Sequence, residues 1–336
     1  TGKMPSHVNI KSNDWKEETS GIPDKIFKNG LGKIFKRAGY ETVYGGKIHL
    51  PGFKPQDLGF DYLTGDRREK LASTCAEYIK EFDKDKPFFM ISSFINPHDI
   101  CYKAITDYAA TMGKKEDYED ITDYQILKSV IAKKEKYEPD EFYNEICPPL
   151  PDNYEPQEEE PEAIKNLLYQ RKFKLYAREN YTEKDWKLHR WAYCRLTEMV
   201  DNNIQKIINA LKEKGIEDNT LIIFSSDHGD HDSAHQLEHK TTLYEEVCRI
   251  PFIISSPTGG SDIVDNNHLI SNGLDFIPTI CDYAGIELPE EVNLEGISIK
   301  PIVEGKKIKN WRDSIKIESE FGKGIVTDRS EERRVG

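Results

Sequence analysis

The chain has 336 residues, 37% of them hydrophobic, enough to bury a sizeable core, which excludes a peptide hormone, a small disulfide scaffold or a coiled-coil rod. Sixty acidic residues against 47 basic ones give a net charge of −13, which argues against a nucleic-acid surface or a basic membrane-binding face. The longest apolar stretches, such as residues 87–95, are under half the roughly 20 residues needed to cross a bilayer, so no membrane span is expected.

Leu31 to Ala38 suits a short amphipathic helix, and Gly39 supplies a left-handed stop before the β-prone run Tyr40 to Tyr44. The unit recurs. Arg68 to Phe82 carries Leu71, Cys75, Ile79 and Phe82 at helical spacing, and after the Lys86-Pro87 break Phe88 to Ile95 reads as a buried strand. From His98 to Thr182 the alternation fails, and Lys-, Glu- and Tyr-rich sequence around a turn-rich Cys147-to-Pro151 stretch suggests an insertion, about 101–181, lying on the surface with solvated charge runs.

Thr182-x-x-Asp185 is a capping box opening a long helix with Trp186, Tyr193, Val200, Ile204, Ile207 and Leu211 on one face, ended by Gly215. Strands are expected at Thr220–Phe224 and Pro251–Ser255, and a helix at Leu274–Tyr283 closing at Gly285. Alternating helices and short apolar strands define an α/β class with a largely parallel central sheet flanked by helices.

Ligands in such sheets collect at the carboxyl ends of strands. Three expected strands end in reactive residues: Gly45-Gly-Lys47-Ile-His49, Asn96-Pro-His98-Asp99, and Ser225-Ser-Asp227-His228-Gly229-Asp230. A lone histidine there is usually structural, Asp-His-Gly is often a turn, and Lys240 alone is a solvated lysine. Three loops converging on one sheet edge shift that balance.

Asp227 offers hard oxygens for a divalent cation and His228 an imidazole, while the lysines and other histidines suit a tetrahedral oxyanion. His231, His235 and His239 recur every four residues, on one helix face or in a loop, but no cysteine completes a zinc site. No CxxC pair, HExxH, G-x-S-x-G or phosphate-loop motif is present.

The ordered segments Thr1-Gly-Lys-Met-Pro5, Gly39-Tyr-Glu-Thr42 with Gly46-Lys-Ile-His49, Asn96-Pro-His98, Ser226-Asp-His-Gly-Asp230, Ala234-His235 to Lys240, Tyr244-Glu-Glu246, Arg249-Ile-Pro251 and Asp275 to Thr279 resemble the sulfatase family of the alkaline-phosphatase superfamily, up to about residue 328. The resemblance implies an alkaline-phosphatase-like fold over 1–328 and a sulfuric-ester hydrolase. Lys47 and Lys240 would hold sulfate oxygens, His49 would act on the nucleophile, and His98 would contact the sulfate and protonate the leaving alcohol. Asp227 and His228 would be calcium ligands, although imidazole is a poor partner for a hard cation.

The family's nucleophile is a formylglycine made in a C/S-x-P-x-R motif. None of the six cysteines lies in one, so this motif and the paired aspartates completing the metal site are expected upstream of Thr1, leaving the chain an inactive, poorly folding fragment. Residues 329–336 resemble a translated sequencing adapter and are expected to be a non-native tail.

The resemblance implies a periplasmic or secreted protein. A sulfated carbohydrate is the expected substrate because Tyr102, Lys103, Tyr169, Arg171, Lys172 and Tyr176 stud the insertion. A phosphodiesterase or phosphonate monoester hydrolase, and a catalytically dead carbohydrate-binding relative, are the alternatives.

Overall fold

The computed structural model describes residues 2–10, 22–50, 52–83, 85–258, 263–289, 292–320 and 322–327. The expected tail at 329–336 lies outside them. The chain divides into two compact units, one made of residues 1–94, 204–226 and 251–336, the other of 95–203 and 227–250.

The first unit contains the expected helix and strand units. Its longer helices are α1 (Leu31–Arg37), α2 (Glu69–Glu81) and α8 (Asn272–Ala284), and its strands are β1 (Glu41–Gly46), β2 (Asp61–Thr64), β3 (Phe88–Ser93), β4 (Ile222–Ser225) and β5 (Phe252–Ser255). Strands β2, β1 and β3 form a parallel sheet in that order, β1 and β3 running in register from Glu41 opposite Phe88 to Gly46 opposite Ser93. Successive side chains of β3 alternate between two layers, as the two-residue period of a strand requires. Phe88 and Met90 join Ile79 of α2 with Ala210 and Leu211, while Phe89 joins Ile34, Phe35, Ile277 and Ile280 of α1 and α8.

Strand β4 is layered in the same way, with Ile222 in the first cluster and Ile223 in the second. It differs from expectation in its partner, pairing antiparallel with β5 from Ile222 opposite Ser255 to Ser225 opposite Phe252. Strand β3 was expected to be buried; all six of its residues are half-buried, because β3 is the edge of its sheet among the described residues. A hairpin of β6 (Ser314–Ser319) and β7 (Gly322–Thr327) completes the unit, and Glu318 of β6 accepts from both the backbone N–H (3.0 Å) and the hydroxyl (2.6 Å) of Ser6.

The second unit is helical. It holds α3 (Cys101–Thr111), α4 (Thr122–Ala132), α5 (Glu162–Gln170), α6 (Lys172–Asn180) and residues 183–203 of α7 (Glu183–Lys214). The capping box opening α7 forms as read, with the Thr182 N–H 3.0 Å from Asp185 Oδ2 and the Asp185 N–H 3.3 Å from Thr182 Oγ1. Ile100, Leu127, Val130, Phe142, Trp191 and Leu196 make the main core.

The segment expected as a solvated surface insertion thus supplies much of a core, and two of its lysines are buried. Lys103 is 6% exposed, with its ammonium 3.7 Å from the Tyr181 ring centroid and 3.3 Å from Asp107 Oδ2; Lys174 is 3% exposed. Charged residues on inward helix faces are why apolar periodicity failed there.

Candidate active site

Lys47 follows β1 directly, and its backbone N–H donates to the Ser93 carbonyl at the end of β3 (2.8 Å), so it stands at the carboxyl end of a parallel strand pair. Gly46 allows this: its φ is +98°, and a Cβ there would come 2.1 Å from the Ser93 oxygen. Tyr44 donates its hydroxyl to the Lys47 carbonyl, holding the turn. Lys47 is half-buried and His49 exposed.

In the second unit, His98 starts a short 3-10 turn, its Nδ1 3.8 Å from Cys101 Sγ. Beside it, the fully buried Asp99 accepts from Asn96 Nδ2 at 2.8 Å. Asp227 is exposed, and its carboxylate lies 3.7 Å from His228 Nε2. His228 Nδ1 is 2.8 Å from the Gly229 carbonyl, which can only accept, so Nδ1 is the donor and Nε2 is the nitrogen on the Asp227 side. Gly229 is obligatory, since a Cβ would meet the Glu246 oxygen at 2.0 Å.

Asp227 and His228 offer one carboxylate, two oxygens at most, and one imidazole nitrogen. Calcium takes six to eight, mostly oxygens. Among the described residues no cluster of three His, Cys, Asp or Glu side chains could hold a metal, so this donor set does not by itself fit calcium.

His231, His235 and His239 share no helix face. They lie in a loop with one short 3-10 turn at Ala234–Gln236, and each has its own partner: Thr242 Oγ1 at 2.8 Å from His231 Nε2, the stacked Tyr244 ring 4.3 Å from that of His235, and the Glu238 carboxylate against His239.

Sequence reasoning missed the buried charges beneath that loop. Burial alone would raise the Glu238 carboxyl, but His239 and Lys174 outweigh it and hold the group at about 2, so Glu238 is ionised. Burial pushes the Lys174 ammonium down, with Glu238 opposing. Burial also lowers His189, on α7, to about 3, and neither ring nitrogen has a hydrogen-bond partner. Asp232 is raised to about 7 by burial, against the pull of Arg190. No short-range motif flags these residues, because Lys174 lies 64 positions from Glu238 and Arg190 lies 42 from Asp232.

All six cysteines are free thiols, and burial pushes every one of them up, Cys147, Cys248 and Cys281 to about 11. None is poised as a thiolate nucleophile.

The Sulfatase family profile matches residues 1–286. The chain is 26% identical over 326 residues to a Delta 4,5-hexuronate-2-O-sulfatase of Bacteroides thetaiotaomicron, covering 92% of this chain and 61% of the relative. It is also 26% identical over 334 residues to an N-acetylglucosamine-6-O-sulfatase of the same organism, covering 83% and 58%. A solved 2-O GAG sulfatase superposes over 100% of this chain and 74% of its own, with a TM-score of 0.72 at 21% identity. The chain thus spans about three-fifths of the length of these curated relatives.

Proposed function

Since the chain belongs to the sulfatase family, we propose that it is the portion of a sulfuric-ester hydrolase that binds the sulfate and serves the leaving group, acting on sulfated saccharides. The observation that carries the reading is the family match over 1–286, which includes every candidate residue. Lys47 and Lys240 are assigned to the sulfate oxygens, where ammonium groups offset charge that builds as the ester bond breaks. His98 is assigned to protonate the departing alcohol and His49 to act on the nucleophile, which by the family pattern is a formylglycine and not one of this chain's cysteines. Asp227 and His228 are assigned as contributors to a divalent-cation site, calcium by family pattern, which would need further oxygen donors beside them.

The saccharide assignment is supported by what the curated relatives are named for and by an exposed group on the second unit: Tyr169, 72% exposed, with Lys172 Nζ 4.1 Å from its ring centroid and Arg171 exposed beside it. Lys103 leaves the set of candidate sugar contacts because it is buried against Tyr181 and Asp107.

A graded experiment tests the leaving-group role in the polypeptide extended to the length of its relatives. Nitrophenol departs with little help, whereas a sugar alkoxide needs a proton in the transition state. His98→Ala should therefore depress kcat/KM on a sulfated sugar far more than on nitrophenyl sulfate. Equal losses would remove the acid role, and turnover of phosphonate monoesters in preference to both sulfates would replace the sulfatase reading itself.

A further inference from the structure

The loop that ends in Lys240 follows an unusual course. Asp232, Ser233, His235, Gln236, His239 and Thr241, none of them glycine, have φ of +44°, +82°, +56°, +50°, +66° and +86°. Left-handed backbone at so many side-chain-bearing residues persists only where the surroundings over-determine it.

Those surroundings come from residues 153–186 of the same unit. Lys174 Nζ donates to the Glu238 carbonyl and lies 3.6 Å from Glu238 Oε1, and the two side chains are 3% and 1% exposed. One helical turn on, Arg178 Nη2 donates to the His235 carbonyl at 2.9 Å, the guanidinium itself held by Glu160 through bonds of 2.7 and 2.9 Å. The Asn153 carbonyl accepts from the His235 N–H (2.8 Å), and the Ser233 hydroxyl donates to the Trp186 carbonyl (3.4 Å).

Resting on the sulfate-binding role given above to Lys240, we propose that Lys174 and Arg178 are positioning residues. Spaced i,i+4 on α6, they present two cations on one helix face, clamp the carbonyls of Glu238 and His235, and keep the 230–241 loop on its left-handed path. Lys240 is thereby held in place before any anion arrives. An anion site pre-organised in this way avoids the ordering cost that a mobile lysine would incur on binding.

The test uses the full 336-residue chain. Lys174→Met alone would strand the Glu238 carboxylate, so Lys174→Met/Glu238→Gln is the informative variant, with Arg178→Met/Glu160→Gln as an independent second. Hydrogen exchange of residues 230–241 should quicken about tenfold or more in each, while that of 188–196 in α7 stays at the wild-type rate. Inorganic sulfate, titrated calorimetrically, should bind several-fold more weakly. Unchanged exchange in the loop overturns the clamp, as does faster loop exchange with undiminished sulfate affinity. If wild type binds no sulfate, or Lys240→Ala binds it equally well, the sulfate-binding reading is what fails, and the exchange measurement alone then upholds or overturns the clamp.

Discussion

The two units keep their interiors together by different means. In the first, the only buried polar residues among those described are Thr42, Asp275 and Thr279, and the one buried carboxylate is fully served: Asp275 accepts two bonds from Arg312 (3.0 and 2.6 Å) and one each from the Ser271 and Ile297 N–H groups (both 2.8 Å). In the second, Asp99, Lys103, Asp123, Lys174, His189, His231, His235 and Glu238 are buried, and both His189 nitrogens, His231 Nδ1 and Glu238 Oε1 have no hydrogen-bond partner. Apolar burial needs only shape, so the first unit tolerates change wherever volume is kept. A buried charge network works only while every member keeps its counterpart, and losing one leaves the others exposed to the full cost of desolvation.

That contrast can be broken at its strongest point by Lys174→Met, which leaves Glu238 short of its buried counter-charge; a loss of about 3–5 kcal/mol in urea unfolding is expected, with Lys174→Met/Glu238→Gln recovering most of it. A cost under 1 kcal/mol would mean that the network is not what holds the second unit. In the first unit Leu71, which is fully buried, should give an ordinary cavity effect, with Leu71→Ala costing about 3 kcal/mol and no partner substitution able to restore it.

A smaller effect comes from His189. Its pKa is depressed in the folded state, to about 3 against the ordinary 6.5, so the unfolded chain binds the extra proton first and stability falls as pH drops below 6.5. Between pH 7 and pH 5 this amounts to about 2 kcal/mol, lost progressively. His189→Leu should remove that part of the acid sensitivity, read as a shallower fall of Tm with pH; an unchanged slope would show that the imidazole is not buried as described. Least of all should Lys240→Ala disturb the fold, by about 0.5 kcal/mol or less. Its effect should fall instead on kcat/KM in the extended polypeptide, about a hundredfold.

The first unit was legible because its rules are local. Gly39, Gly215 and Gly285, read as helix stops, have φ of +90°, +70° and +64°, and the α1-β1 and α2-β3 units follow from period and punctuation within some twenty residues. Lys47, His98 and Asp227 were singled out by the same local rule, each following a run of strand-forming sequence, and that strand placement is what the structure bears out. What could not be read was long-range. Nothing near Lys174 announces Glu238, 64 positions away, and a lysine in a Lys- and Tyr-rich stretch reads as solvated until its partner is seen. The antiparallel pairing of β4 with β5 was hidden in the same way, because strand direction depends on the path between strands and not on their composition.

The Ser6 to Glu318 contact carries a consequence for how the protein is made. These residues are 312 positions apart, and the first unit is assembled from three stretches of chain separated by the whole of the second. At roughly 5–20 residues per second of synthesis, tens of seconds pass between the emergence of one partner and the other. Throughout that interval Ser6 waits without Glu318, and Phe89 of β3 without Ile277 and Ile280 of α8, which pack against the same cluster in the finished unit, so apolar surface stays accessible to other chains. The helical second unit, built mostly from one continuous stretch, can form while the first is still waiting. Biogenesis of this chain should therefore depend strongly on chaperones and on translation rate, and slowing translation should increase aggregation of the first unit before it affects the second.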